Sequence, residues 1–255
     1  MKKIFTIIAL SIGFIVNAQF WFQGSVTDAI QTANAKASGI NSAAMGGLTT
    51  AMGYGTIVSG NYSTAMGRET IASKSYSTAM GRNTRAIGEY STAMGSGTTA
   101  SGYASTAMGY GTIVSGNYST AMGRETIASK SYSTAMGRNT RAIGEYSTAM
   151  GSGTIASAYY STAMGHYTKA SDYSSLVIGQ YNSSGSSATS ATAFNRANTA
   201  FVIGNGTGTG EDASDAFKVM FNGNTTVGND LTISGDVVVS SDARLKANIV
   251  SLGAT

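Results

Sequence analysis

The sequence has no cysteine and no proline, a single histidine and a single tryptophan, and charged side chains at only 11% of its 255 positions. Without cysteine there is no disulfide framework and no thiol chemistry, and a structural zinc site loses its usual ligands. The missing proline and sparse charge separate the chain from disordered tails, which are rich in both. A histidine-based catalytic or metal centre would rest on His166 alone, with Tyr167 and Lys169 as poor partners. His166 therefore reads as a surface residue. No cofactor and no metal site are expected.

Positive charge is also scarcer than the formal +4 suggests. Residues 1–18 read as a secretory signal peptide: Lys2 and Lys3 lead an apolar run from Ile4 to Val16, and Val16-Asn17-Ala18 offers small residues for cleavage. The run falls short of the roughly 20 residues a bilayer-spanning helix needs. The mature chain is expected to start at Gln19, outside the cell, with no transmembrane segment. Removing the two lysines and no acid takes the net charge from +4 to +2. Nucleic-acid binding has little support at that charge.

What the chain has in quantity is glycine, 33 residues, and a fixed order of small side chains. Met-Gly recurs at Met52, Met66, Met80, Met94, Met108, Met122, Met136, Met150 and Met164, always 14 residues apart. Ile178-Gly179 keeps the register, and Met45-Gly46 precedes Met52 by a half step of seven. A longer repeat overlies the short one. Residues 51–106 match 107–162 at 53 of 56 positions, differing only at Thr99/Ile155, Gly102/Ala158 and Ala104/Tyr160. A fold that accepts a copied block of this kind extends along one axis.

One unit, Arg68 to Gly81, reads RETIASKSYSTAMG. Thr-Ile-Ala-Ser and Tyr-Ser-Thr-Ala-Met suggest two short strands, with bends at the closing glycine and near position seven. Two packed helices need more residues than one unit supplies. The expected class is therefore all-β, a parallel β-solenoid with one coil per 14-residue unit. Nine coils from Tyr54 to Gly179 would rise about 43 Å at the usual strand spacing. Position five (Val58, Ala72, Ala86, Ala100) is small and apolar and should point inward, while position four (Ile57, Ile71, Arg85, Thr99) varies and should point out. Ala79 and Met80 fall on opposite faces and are both apolar, as are Leu176, Val177 and Ile178. A strand apolar on both faces is buried on both. The second face calls for a partner chain.

The repeated Ser-Thr-Ala-Met-Gly, followed by x-x-Thr-x-Ala-Ser-x-x-Tyr, resembles the YadA-type head repeat of trimeric autotransporter adhesins across residues 33–179. The resemblance implies a left-handed β-roll, a homotrimer, and a structural and adhesive role on the outer surface of a bacterium, with host matrix or acidic polysaccharide as ligand. That family's heptad stalk and membrane-anchor strands have no counterpart among these residues. Residues 19–32 form an N-terminal segment and 180–239 an irregular β neck, with strands expected at 200–204, 216–220, 225–228 and 231–233. The neck resembles segments of phage tail fibres. Residues 240–255 are similar to the opening of the self-cleaving intramolecular chaperone of tail spikes and endosialidases. That resemblance implies Ser241 as nucleophile, Lys246 as its activating partner and Ser240–Ser241 as the scissile bond. The stretch is too short for the whole domain, so no self-cleavage and no enzymatic activity are expected here.

Two surfaces are candidates for ligand. Arg68, Lys74, Arg82 and Arg85 recur as Arg124, Lys130, Arg138 and Arg141, a repeated cationic group that suits an acidic polymer. The column Tyr62, Tyr76, Tyr90, Tyr118, Tyr132, Tyr146, Tyr160 is either a structural ladder or a stacking surface for glycans. Gly204, Gly206, Gly208 and Gly210 lack the strand–loop–helix setting of a phosphate cradle and read as a flexible loop. A phage-type tail fibre shares the terminal motif, but such fibres assemble in the cytoplasm, so a secretory leader favours a cell-surface protein. An ice-binding solenoid would need two threonine ranks side by side, and the residue two before Thr64, Thr78 and Thr92 is tyrosine. An acyltransferase of the hexapeptide-repeat kind would need a six-residue period.

Overall fold

In the computed structural model, residues 22–23, 30–31, 36–38, 41–183 and 190–233 are described. They form two facing sheets, one of 12 short strands and one of 14 longer strands, wound alternately from a single chain. Each coil gives a two-residue strand such as Ile71–Ala72 to the first sheet and a five-residue strand such as Thr78–Arg82 to the second. From Thr50 to Gln180 each strand pairs in parallel with its equivalent one repeat away, for example Thr78↔Thr92, Met80↔Met94 and Gly81↔Gly95. The solenoid reading holds rung by rung.

The register explains the half step at Met45. Ala43–Ala44 pairs with Ile57–Val58 in the short-strand sheet, so Met45-Gly46 occupies positions six and seven of its coil rather than closing it. Lys36–Ser38 pairs with Thr50–Met52, and the 14-residue spacing is unbroken there. Sequence similarity between the two halves of one coil produces the apparent offset. Both halves place an alanine inward, Ala44 and Ala51, before a methionine.

Four columns fill the space between the sheets. Position five (Ala72, Ala86, Val114 and equivalents) and position twelve (Ala79, Ala93, Ala107) are 0% exposed. Position three, a threonine from Thr56 to Thr168, and position ten, a serine from Ser63 to Ser175, are buried beside them. Only small side chains fit between sheets joined by such short turns. The serines close the turn before them: Ser91 Oγ donates to Gly88 O at 2.6 Å and Ser161 Oγ to Ala158 O at 2.7 Å. The threonine hydroxyls from Thr56 to Thr168 have no hydrogen-bond partner among the described residues.

The closing glycine does not end its strand. Gly67 pairs with Gly81 and the next residue, Arg68, still pairs with Arg82. At Gly67 the φ angle is +125°, and a Cβ there would lie 1.9 Å from the carbonyl oxygen of Gly81. Glycine is required by both the backbone angle and the approach of the next rung. The bends lie at position two and at positions seven to nine. Position nine is left-handed, with φ of 56–59° at Tyr62, Tyr76, Tyr90, Tyr118, Tyr132, Tyr146 and Tyr160.

Both ends of the stack leave the parallel pattern. Phe22–Gln23 pairs antiparallel with Ile30–Gln31, which lies parallel to Ala43–Ala44. At the other end, the short-strand sheet stops at Lys169–Ala170, where the Asn182 side chain replaces the missing rung. Its Oδ1 accepts from Lys169 N at 2.7 Å, and its Nδ2 donates to Lys169 O at 3.1 Å. Thr199–Asn205 continues the long-strand sheet beside Leu176–Gln180, then pairs antiparallel with Asp215–Met220, which pairs antiparallel with Thr225–Val227. Residues 231–233 form no strand. Their outward Leu231 and Ile233 have no neighbouring strand among the described residues.

Candidate functional site

The long-strand sheet turns position twelve inward, so positions eleven and thirteen face out. Its outer surface carries a threonine rank (Thr64, Thr78, Thr92) beside a methionine rank (Met66, Met80, Met94), both half-buried. Met52, near one end, is 41% exposed. This flat face is half apolar and lacks a second threonine rank. The last coil makes it more apolar, with Leu176 and Ile178 outward and Val177 at 2% exposure inward.

The cationic group is spread around the coil rather than gathered on one face. Arg68 and Arg82 are Cα partners in the long-strand sheet, as are Arg124 and Arg138. Arg85 and Arg141 belong to the other sheet, beside Ile71 and Thr99 or Ile127 and Ile155. Lys74 and Lys130 sit exposed in the turn that follows the short strand. Within each stacked pair one arginine is engaged. Arg68 Nε lies 3.4 Å from Glu69 and its guanidinium 5.8 Å from the Tyr54 ring centroid, and Arg124 repeats the pattern with Glu125 at 3.5 Å and Tyr110 at 5.8 Å. Arg82 and Arg138 have no ion pair among the described residues. They stand four coils apart, about 19 Å at one strand spacing per coil.

The tyrosine column is longer than its sequence pattern. Tyr62, Tyr76 and Tyr90 stack at 5.1 and 4.8 Å between ring centroids, nearly parallel, and Tyr118 to Tyr160 stack at 4.8–5.2 Å. Tyr103 bridges the two runs from position eight, 5.4 Å from both Tyr90 and Tyr118 and turned by 67° and 68°. Tyr173 ends the ladder in the same way, 5.5 Å from Tyr160 and turned by 67°. Stacked rings spend their faces on one another, which leaves edges and hydroxyls for solvent. Partial burial, with Tyr118, Tyr90 and Glu89 close by, pushes the Tyr103 phenol above its ordinary pKa. Tyr146 is raised likewise by burial, Tyr160, Tyr132 and Glu145.

His166 is exposed, edge-on to Tyr167 and Tyr181 at 4.7 and 5.0 Å. No metal-binding cluster occurs among the described residues. The glycine-rich stretch makes internal and neighbouring hydrogen bonds: Gln180 Nε2 donates to Gly206 O at 3.0 Å, Thr207 N to Asp212 O at 3.0 Å, and Gly210–Asp212 forms a short 3-10 turn. Beside it a cavity of about 400 Å³ is lined by Tyr167, Lys169, Tyr181 and Thr209, among others. Ser240, Ser241, Lys246 and residues 1–18 lie outside the described residues. Among the described residues no helix is long and apolar enough to cross a membrane.

A family model, the YadA head domain repeat (2 copies), matches residues 48–70, 72–98, 100–126, 128–154 and 156–182, together just over half of the chain. No curated protein matches it.

Proposed function

We propose that this chain, which belongs to the family of YadA head-domain repeats, serves as the ligand-presenting head of a bacterial surface fibre built from three copies. Membership makes it a structural, adhesin-like surface protein of the trimeric autotransporter kind rather than an enzyme. The trimer, the ligand and assembly through a following chaperone segment are the proposed part. The carrying observation is the outward methionine rank, repeated on each coil from Met52 to Met164 of a sheet whose other face is already filled. A continuous apolar stripe on a soluble chain marks a contact surface, and heads of this family pack as homotrimers. The neck supports the same reading, since every residue of Asp215–Met220 is half-buried. Arg82 and Arg138, like Lys74, Arg85, Lys130 and Arg141, have no ion pair among the described residues and are cations open to an acidic polysaccharide or matrix protein. Three copies would multiply a weak contact, and secretion to the cell surface supplies the setting.

The test combines light scattering with circular dichroism. The purified chain should have the mass of three copies, and Met94→Lys with Met108→Lys and Met122→Lys should give a monomer with an unchanged β spectrum. In the same preparation, Arg82→Glu with Arg138→Glu should weaken alginate binding without altering mass. A wild-type monomer would remove the trimer from the proposal.

A further inference from the structure

The tyrosine ladder is built against the preference of its own backbone. A left-handed residue is ordinarily glycine, asparagine or aspartate, and a bulky side chain there is an outlier. Seven tyrosines nevertheless take that conformation at position nine. Strain repeated in this way is retained for what the side chains do. Stacking between rungs explains the parallel runs. It leaves unexplained the interruption at Tyr103.

At that rung Ala104 takes the left-handed position, with φ of 49°, and the ring comes from the preceding residue. Tyr103 has no parallel neighbour on either side, so its faces are not consumed by the stack. It is 39% exposed. Glu89 and Asn117 occupy the same position, eight, on the rungs before and after it. Asn117 Oδ1 accepts from Tyr103 N at 2.9 Å, which holds the amide next to Tyr103, and its Nδ2 has no hydrogen-bond partner among the described residues. An aromatic face flanked by a carboxylate and an amide matches a pyranose: its apolar C–H face lies on the electron-rich ring, and its hydroxyls meet the polar groups. Charge along the strip is balanced, with Lys74 and Lys130 against Glu89 and Glu145, so nothing there selects an anion.

The copied block supplies an internal control. Its three differences include Ala104/Tyr160 and Gly102/Ala158, both next to this ring. In the second copy Tyr160 restores the parallel stack, at 4.8 Å from Tyr146. Tyr159, the counterpart of Tyr103, is less exposed, and its N–H donates to Ala191 O at 2.8 Å in the segment leading to the neck. Nearly identical sequence thus yields one exposed tyrosine and one half-buried one. We propose that the tyrosine strip binds uncharged glycan chains, with Tyr103 as the platform on which one sugar ring stacks and Glu89 and Asn117 as its hydroxyl partners. This site is separate from the arginines.

Affinity electrophoresis of the full chain through laminarin, hydroxyethylcellulose, dextran and alginate tests it. Retardation in at least one of the three neutral polymers is expected. Tyr103→Ala and Ala104→Tyr should each weaken it about tenfold, the scale of one lost aromatic contact, while Tyr159→Ala leaves it unchanged. Ala104→Tyr guards against a trivial folding failure, because Tyr160 shows that tyrosine fits the same rung of the second copy. No retardation in any neutral polymer overturns the proposal, and so does wild-type binding by Ala104→Tyr. Retardation in alginate alone also overturns it and leaves the arginine reading standing.

Discussion

The roll and the neck solve the same burial problem in opposite ways. Between Thr50 and Gln180 each coil buries positions three, five, ten and twelve within its own two sheets, using alanine, serine, threonine and an occasional valine. From Thr207 to Ile233 no residue is buried, although Phe217, Val219, Met220 and Phe221 are far bulkier. Small side chains let two sheets close on each other inside one chain. Large ones on a three-stranded antiparallel extension have no second layer to meet. The roll is held by stacked backbone and tight fit, whereas the neck presents apolar surface that only another layer could cover.

Glycine substitutions should separate the two regions most sharply. Gly123 has φ of +120°, and a Cβ there would fall 2.0 Å from Gly137 O. The next rung cannot retreat without breaking the ladder, so Gly123→Ala should cost about 4 kcal/mol or more. Gly223, in the neck turn, has φ of +91° with nothing within 4 Å of the added atom. Gly223→Ala should therefore cost only its backbone strain, about 1–3 kcal/mol. Thermal unfolding followed by circular dichroism measures both, and equal costs would break the distinction.

The periodicity carried most of the fold because its cause is periodic. One coil is one rung, so Met-Gly spacing reports strand register directly, and the small residues at positions five and twelve report the interior. Polarity hid the rest of the core. Serine and threonine at positions ten and three look like turn residues, yet they are fully enclosed, because a turn this tight brings its own flanks inside. The glycine was legible as a left-handed residue but not as part of a strand, since its constraint comes from the next rung's carbonyl rather than from local sequence. The cationic group looked compact for a similar reason. Arg82 and Arg85 are three residues apart in the chain but lie in different sheets. Tyr103 was missed from the tyrosine column because it occupies position eight; the Ala104/Tyr160 difference was the signal that could have found it.

The buried threonines give a smaller test of the same contrast, inside the roll. Thr126 Oγ1 is enclosed and has no hydrogen-bond partner among the described residues. Burying a hydroxyl without a partner costs free energy, and valine has nearly the same shape. Thr126→Val should raise stability by about 1 kcal/mol, read as a higher melting temperature. A loss of stability would mean that the hydroxyl is satisfied in solution by a group such as water.

The smallest expected effect lies in the neck and depends on pH. Burial raises the Asp215 carboxyl above the ordinary aspartate range, opposed by the hydrogen bond from Ser183 N at 2.8 Å and by Lys218. A carboxyl whose pKa is higher in the folded state binds more protons there than in the unfolded chain. Its contribution is therefore fully present below the unfolded pKa, declines as pH rises through the folded value, and is flat above it. Unfolding of the neck should accordingly ease slightly from mild acid toward neutral pH, and hydrogen exchange at Phe217 and Val219 is the local readout. Asp215→Asn keeps an oxygen for the Ser183 N–H and removes the titration. That variant should abolish the slope in the neck and leave exchange in Thr92–Ser96 of the roll unchanged, because the group it removes belongs to the neck and the one carboxylate of that coil, Glu89, is exposed. A slope that survives the substitution would assign the pH response to another group.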